Sequence, residues 1–287
     1  MEGLLRRVDQ SPFLSQLIPL GLTIVILGIL LGILHASLTL FNQIPGTIPV
    51  LMVIRPSDVL VGATIYLKTE IDFAILIGRL MDLYPGWRNR VALEIGSALG
   101  NAGGTILIIG LWVVLKHVDI LLALMVLVAS LVLFELAHSG LEYLTNWESS
   151  GGVKKWLFIG LHKFLDTTGI VINPLLSRII PDLGARLRGK EGLSWGKLAG
   201  FATEIPFILG LDDFAGYVPL FNVVNIYGFA AGVIGAHTIL NICLFLSPKR
   251  TINAVKNEYV SFLGTLAFIG LGIYGLVETG KIIISLL

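Results

Sequence analysis

The stretch LIPLGLTIVILGILLGILHASLTL, residues 17–40, is a long apolar run that contains no Asp, Glu, Lys or Arg. A helix needs roughly 20 such residues to cross a hydrocarbon core about 30 Å thick. A cleaved secretory signal has a shorter apolar core and a small-residue cleavage site after it. Residues 17–40 therefore predict a transmembrane helix that remains in the protein.

The rest of the chain also has the composition of a membrane protein. Of its 287 residues 55% are hydrophobic and 14% are charged, and the mean hydropathy is +0.87. Soluble domains carry about 25% charged residues, so a soluble globular protein and a long disordered chain are both excluded. The single cysteine, Cys243, excludes a disulfide scaffold. The net charge of +1 argues against nucleic acid as a partner.

Six further apolar runs complete the pattern of an all-α polytopic membrane protein with seven transmembrane helices. The predicted spans are 17–40, 57–82, 91–115, 119–143, 197–220, 222–247 and 259–278. If the N-terminus is cytoplasmic, 16 of the 20 Lys and Arg residues lie in inside segments, and only Arg55, Lys116 and Lys281 lie outside. Cytoplasmic loops are rich in Lys and Arg. We therefore expect the N-terminus inside, the C-terminus outside, and a location in the plasma (inner) membrane.

Two stretches of the chain share a G-x3-G-x2-G spacing, which indicates an internal repeat. Their glycines are Gly96, Gly100 and Gly103 in the first stretch and Gly228, Gly232 and Gly235 in the second. Glycines at this spacing favour close helix packing. Acidic motifs precede both stretches, and two registers align them: Asp72 with Asp212, or Glu70 with Glu204. Since the second and fifth spans would run in opposite directions, we expect an inverted 3+3 repeat.

The repeat divides the chain into four parts. These are an extra helix and loop (1–55), a first three-helix repeat (56–145), a linker (146–196) and a second three-helix repeat (197–287). The linker carries His162, Lys163 and Asp166 among apolar residues, which makes a full crossing costly. We expect it to form amphipathic cytoplasmic helices at the membrane surface, where its basic residues would bind anionic lipid.

Carboxylates inside the predicted spans are the strongest candidates for chemistry. A charge at the bilayer centre costs about 2.5 to 3.5 kcal/mol on insertion scales, so such residues usually face a cavity or a partner. Asp72 and Asp212 are the first choices as metal ligands because they recur in both halves. Further metal ligands or proton carriers are expected among Glu70, Asp213 and Glu204, with secondary roles for Lys68, Asn101, His237 and Asn241.

Short motifs around these acids resemble the cadmium-resistance branch of the lysine-exporter superfamily. Gly210-Leu-Asp212-Asp213-Phe-Ala-Gly-Tyr217-Val-Pro219-Leu-Phe221 is similar to a G-x-D-N-x-x-x-Y-[IV]-P-L-F pattern, and Thr69-Glu-Ile71-Asp72 resembles a T-x-I-D motif. The tellurium-resistance and manganese-exporter branches are related alternatives. The resemblance implies efflux of a cation, with Asp72 and Asp212 as ligands.

The sequence thus predicts a secondary transporter that exports a divalent cation (Mn, Ca or Cd) by alternating access. Carboxylates suit hard ions such as Mn²⁺ and Ca²⁺ better than Cd²⁺. None of the common catalytic motifs is present, so we expect no enzymatic activity and no cofactor. The expected partners are the lipid bilayer, the cation and a second copy of the chain in a homodimer. An exporter of small organic solutes and a membrane scaffold or assembly factor remain as alternatives.

Overall fold

The computed structural model describes residues 11–45, 49–149, 151–176, 192–221 and 223–286, and within these ranges the chain is helical without strands. In chain order the helices are α1 Pro12–Phe41, α2 Pro56–Thr69, α3 Ile71–Leu83, α4 Trp87–Leu115, α5 Asp119–Leu141, α6 Thr145–Ser149, α7 Val153–Leu176, α8 Trp195–Tyr217, α9 Ile226–Leu246, α10 Pro248–Val255 and α11 Glu258–Leu286. Short 3-10 turns follow α5 (Glu142–Leu144) and α8 (Val218–Leu220).

Five helices in the described ranges are long and apolar enough to cross a membrane: α1, α4, α5 with its 3-10 turn, α9 and α11. They coincide with five of the seven spans that hydropathy predicts. Their outer faces expose many large apolar side chains, including Ile24 and Val25 on α1 and Leu263 on α11. The protein is therefore a helical membrane protein.

The predicted span 57–82 is not one uninterrupted helix, which corrects the sequence prediction. α2 ends at Thr69 and α3 begins at Ile71, because Glu70 leaves the helical region with φ −91° and ψ 25°. The Thr69 hydroxyl donates to the carbonyls of Ile65 and Tyr66, a contact that bends helices. Each half is too short to cross a bilayer alone. Glu70 lies near the middle of the predicted span 57–82.

The fifth predicted span, 197–220, corresponds to α8 but differs from the five long apolar helices. It carries four charged residues, Lys197, Glu204, Asp212 and Asp213, and it contains Pro206. Proline inside a helix removes a backbone hydrogen bond and bends the helix. The crossings that precede the glycine-rich helices α4 and α9 therefore both contain a helix-disturbing feature: the interruption at Glu70 in α2–α3 and Pro206 in α8.

Three helix pairs form the centre of the bundle: α5 with α11, α4 with α8, and α2 with α9. Glycines lie at the contacts of all three pairs, including Gly140 and Gly275 between α5 and α11. A side chain at Gly96 or Gly100 on α4 would overlap the backbone carbonyls of Ala199 and Thr203 on α8. A side chain at Gly232 on α9 would overlap the carbonyl of Val59 on α2. The helices approach so closely that only glycine fits at these positions.

The connecting segments gather at two ends of the bundle. At one end the Trp195 indole donates to the Arg88 carbonyl (2.9 Å), Arg90 donates to the Phe245 carbonyl (3.2 Å), and the Trp147 indole donates to Glu258 (3.1 Å). We call this the basic end. At the opposite end the Asn225 amide donates to the Leu51 carbonyl (2.9 Å). A cavity of about 220 Å³ there lies between residues 49–55, the end of α4, Phe221 and residues 223–226.

Candidate functional site

A chain of buried polar side chains joins three helices in the interior. The His237 Nδ1 atom on α9 lies 2.5 Å from the Tyr66 hydroxyl on α2. The Asn241 amide nitrogen, one turn further along α9, lies 2.9 Å from His237 Nε2 and donates to the Ser97 hydroxyl on α4 (3.2 Å). All four residues are buried. We call Tyr66, His237, Asn241 and Ser97 the central network.

Both ring nitrogens of His237 have partners in this network. With Nε2 accepting from the Asn241 amide, Nδ1 carries the proton and donates to the Tyr66 oxygen. Neither nitrogen is then open to a metal ion. The arrangement favours His237 as a neutral, positioned residue that holds α2 against α9, rather than the secondary ligand that the sequence suggested.

The buried polar surface continues along α4 beyond Ser97. Asn101 and Thr105 follow Ser97 at intervals of four residues, so the three side chains share one helical face. Asn101 is 2% and Thr105 is 1% exposed. Within the described part of the chain, the Asn101 amide nitrogen and the Thr105 hydroxyl have no hydrogen-bond partner. They leave polar atoms available inside the bundle.

Glu70 lies between two residues that contact His237. It follows Tyr66 by four residues and precedes Phe73 by three, and its backbone amide donates to the Tyr66 carbonyl (3.0 Å). Tyr66 bonds to His237, and the Phe73 ring centre lies 5.3 Å from the imidazole. Glu70 is 2% exposed and sits at the helix interruption between them. A buried carboxylate therefore lies at the helix interruption, four residues along the chain from Tyr66 of the central network.

Lys68 occupies a different part of the interior. Its side chain runs along α11, where an added side chain at Gly264 would overlap its methylene groups. It separates two cavities, of about 310 and 250 Å³, between α2, α5 and α11. Lys68 is therefore not brought to the central network with Tyr66, which is two residues earlier on α2.

The remaining predicted ligands are distributed unevenly. The side chains of Asp72, Asp212 and Asp213 lie outside the described part of the structure, although their backbones belong to α3 and α8. Glu204 is described, and it is exposed on α8. Among the predicted carboxylate ligands whose side chains are described, only Glu70 is buried.

The six repeat glycines do not have equal surroundings. Gly96 and Gly100 contact α8, and Gly228 and Gly232 contact α2. A side chain added at Gly103 or Gly235 would meet no atom within 4 Å. The close helix contacts therefore use the first two glycines of each motif.

Sequence reasoning did not select Tyr66, Ser97 or Asp58 as site residues. Tyr66 and Ser97 belong to the central network, and Asp58 is 7% exposed near Gly228. Ser97 lies inside the first glycine motif, and Asp58 lies inside the predicted span 57–82, so both carried a signal as polar residues within a crossing. Tyr66 carried none, because tyrosine is common in apolar helices.

Comparison of the chain with models of protein families, with curated proteins and with solved structures gives no match.

Proposed function

We propose that the chain is a membrane carrier that exports a divalent metal cation by alternating access, and that Glu70 binds this cation. The observation that carries the proposal is the burial of Glu70 at a helix interruption, four residues along the chain from Tyr66 of the central network. Transporters often place substrate and coupling-ion sites where membrane helices are discontinuous. Carboxylates inside membrane crossings often mark the pathway of an ion or a proton.

Neutral oxygen atoms elsewhere in the bundle interior fit the same role. Tyr66, Ser97, Asn101 and Thr105 provide buried hydroxyl and amide oxygens on α2 and α4. Hard divalent ions bind carboxylate and carbonyl oxygens. Asp72 and Asp212, the first choices from the sequence, lie on α3 and α8 and would supplement Glu70 as ligands. Manganese or calcium is the preferred ion, ahead of cadmium, since cadmium favours thiolate ligands and the single cysteine, Cys243, is exposed.

The helix pairing supports an inverted repeat of two three-helix units. One unit consists of α2–α3, α4 and α5, and the other consists of α8, α9 and α11. The first helix of each unit packs on the second helix of the other unit, and the two third helices pack on each other. A two-fold relation between the units would produce this pattern. Gly100 faces Thr203, and Gly232 faces Val59 in the same way. If the two glycines are equivalent, at an offset of 132 residues, then Val59 and Thr203 are equivalent too. The first helices of the two units then correspond at an offset of 144 residues.

The two ends of the bundle support seven crossings. The basic end brings together segments 84–90, 146–149, 193–195 and 245–258, which the charge distribution assigns to the cytoplasm. Segments 49–55, 112–116 and 223–226, assigned to the outside, meet at the other end. The two groups of segments lie on opposite sides of the membrane only if both the interrupted α2–α3 segment and α8 cross it. It also favours membership of a family of small inverted-repeat exporters, with the lysine-exporter superfamily as our proposal, in the plasma (inner) membrane.

Ion flux in proteoliposomes tests the proposal. We expect the native protein to move Mn²⁺ or Ca²⁺ across the membrane, with Cd²⁺ as the third ion of the panel. The Glu70→Gln variant keeps the shape of the side chain and removes its charge, so we expect the flux to fall at least about tenfold, the effect of losing about 1.4 kcal/mol of binding. Glu148→Gln, the same change at an exposed site on α6, is the matched control.

Two results would contradict the proposal. The first is native protein that is folded and moves none of the three metals, which would favour an organic-solute exporter or a scaffold. The second is a flux that Glu70→Gln and Glu148→Gln leave equally intact.

A further inference from the structure

A cluster of two histidines and one aspartate lies where α7 packs against the last turns of α5. His138 on α5 places Nε2 3.0 Å from Asp166 Oδ1, and His162 on α7 places Nδ1 2.7 Å from Asp166 Oδ2. The three ligand atoms all lie within 4.8 Å of one another. One carboxylate is thus approached by an imidazole from each of two helices.

The chain holds these three side chains in place from both sides. His162 and Asp166 are four residues apart on α7, so they lie on one face of the helix. Next to them the rings of Phe134 and Phe164 meet at 6.0 Å, and the Phe158 ring lies 5.6 Å from the His162 ring. Aromatic contacts therefore fix the separation of α5 and α7 at the cluster.

The geometry is close to what a tetrahedral metal ion requires. Ligand atoms around zinc with bonds of about 2.0 Å are separated by about 3.3 Å. The two histidine-to-aspartate separations are already 3.0 and 2.7 Å, so small side-chain rotations would open room for the ion. The His138, His162 and Asp166 side chains are 32%, 45% and 50% exposed, which leaves a fourth position for water.

Charge and ligand type favour a transition metal over the hard ion proposed for the bundle interior. Imidazole suits zinc and its neighbours, whereas calcium and magnesium prefer oxygen ligands alone. Glu135 lies one turn before His138 on α5 and Glu142 one turn after it. These acids add negative charge near the cluster, which attracts a divalent cation.

We infer that His138, His162 and Asp166 form a binding site for a divalent transition-metal cation of the zinc class, which joins α7 to α5. The site lies at the last turns of α5, and its ligands are separate from those of the central network. The inference does not depend on the transport proposal. A metal there would hold the linker segment against the bundle.

Cobalt binding to the purified full-length protein tests the site, because Co²⁺ replaces zinc and its visible absorption reports nitrogen and oxygen ligands. After treatment with a chelator, we expect the native protein to bind Co²⁺ at this site and Zn²⁺ to displace it. Each of His138→Gln, His162→Gln and Asp166→Asn should weaken binding at least about tenfold. His117→Gln, at the other end of the bundle, should bind like the native protein.

Further variants distinguish loss of this metal site from loss of the transport site and from a folding defect. Glu70→Gln should keep full Co²⁺ binding, so a failed flux experiment leaves this inference intact. Asp166→Asn preserves side-chain shape and is the variant to use if a histidine variant does not fold. Zn²⁺ should also slow hydrogen exchange of α7 in the native protein. Absence of Co²⁺ absorption in native protein, or binding that all three variants leave unchanged, would overturn the inference.

Discussion

The Tyr66 hydroxyl and the His237 Nδ1 atom lie 2.5 Å apart, although the two residues are 171 positions apart in the chain. This contact links α2 of the first half to α9 of the second, inside the bundle. It is reinforced by Asn241, which connects the same imidazole to Ser97 on α4. The two halves are therefore joined by hydrogen bonds as well as by apolar packing.

Removal of the Tyr66 hydroxyl should destabilise the protein. In Tyr66→Phe the buried His237 N–H loses its acceptor, at a cost of about 1 to 3 kcal/mol. We expect a lower melting temperature in detergent, measured by the fluorescence of the intrinsic tryptophans. Tyr227→Phe is the matched control, because the Tyr227 hydroxyl meets His35 at 3.4 Å in an exposed position. Equal melting temperatures for the two variants would argue against a structural role of the central network.

Two glycines three residues apart on α9 should respond oppositely to the same substitution. Gly232→Ala forces a methyl group onto the Val59 carbonyl, so we expect a loss of about 1 to 3 kcal/mol in stability. Gly235→Ala meets no atom within 4 Å, and alanine favours a helix by up to about 1 kcal/mol, so stability should be unchanged or higher. Thermal unfolding of both variants provides the measurement. A Gly232→Ala variant as stable as the native protein would contradict the close packing of α2 on α9.

The proposed crossing of α8 can be tested with single cysteines. In a Cys243→Ser background, Val223→Cys after α8 and Asn253→Cys in α10 are both placed in polar connections. Seven crossings predict that a membrane-impermeant maleimide labels Val223→Cys from outside and Asn253→Cys only after the membrane is opened. His117→Cys serves as a second outside marker. Labelling of Val223→Cys only from the cytoplasmic side would mean that α8 does not cross.

Hydropathy located the long helices well because each consists almost entirely of apolar residues. The same averaging concealed the interruption at Glu70, since a window of about 20 residues treats one acid among apolar neighbours as part of a span. The interruption is a change of backbone conformation at one residue, with φ −91° and ψ 25° at Glu70. Hydropathy does not report backbone conformation.

The candidate site was only partly predictable for a related reason. His237 and Asn241 attracted attention as polar residues in an apolar helix, and they do lie in the central network. Their partners Tyr66 and Ser97 come from other helices, and no local spacing indicates which helices will meet. Likewise, Glu70 and Glu204 match in sequence, but packing buries the first and exposes the second. Only the three-dimensional arrangement distinguishes them.

Glu70 and Glu204 therefore provide the most direct test of the central claim, that the cation binds at the buried acid. The measurement compares metal flux in proteoliposomes containing Glu70→Gln or Glu204→Gln with flux in the native protein, at equal protein content and with the same transported ion. Our account predicts that Glu70→Gln loses at least about tenfold of the flux while Glu204→Gln stays close to the native rate. Native flux through Glu70→Gln, or an equal loss in both variants, would contradict it.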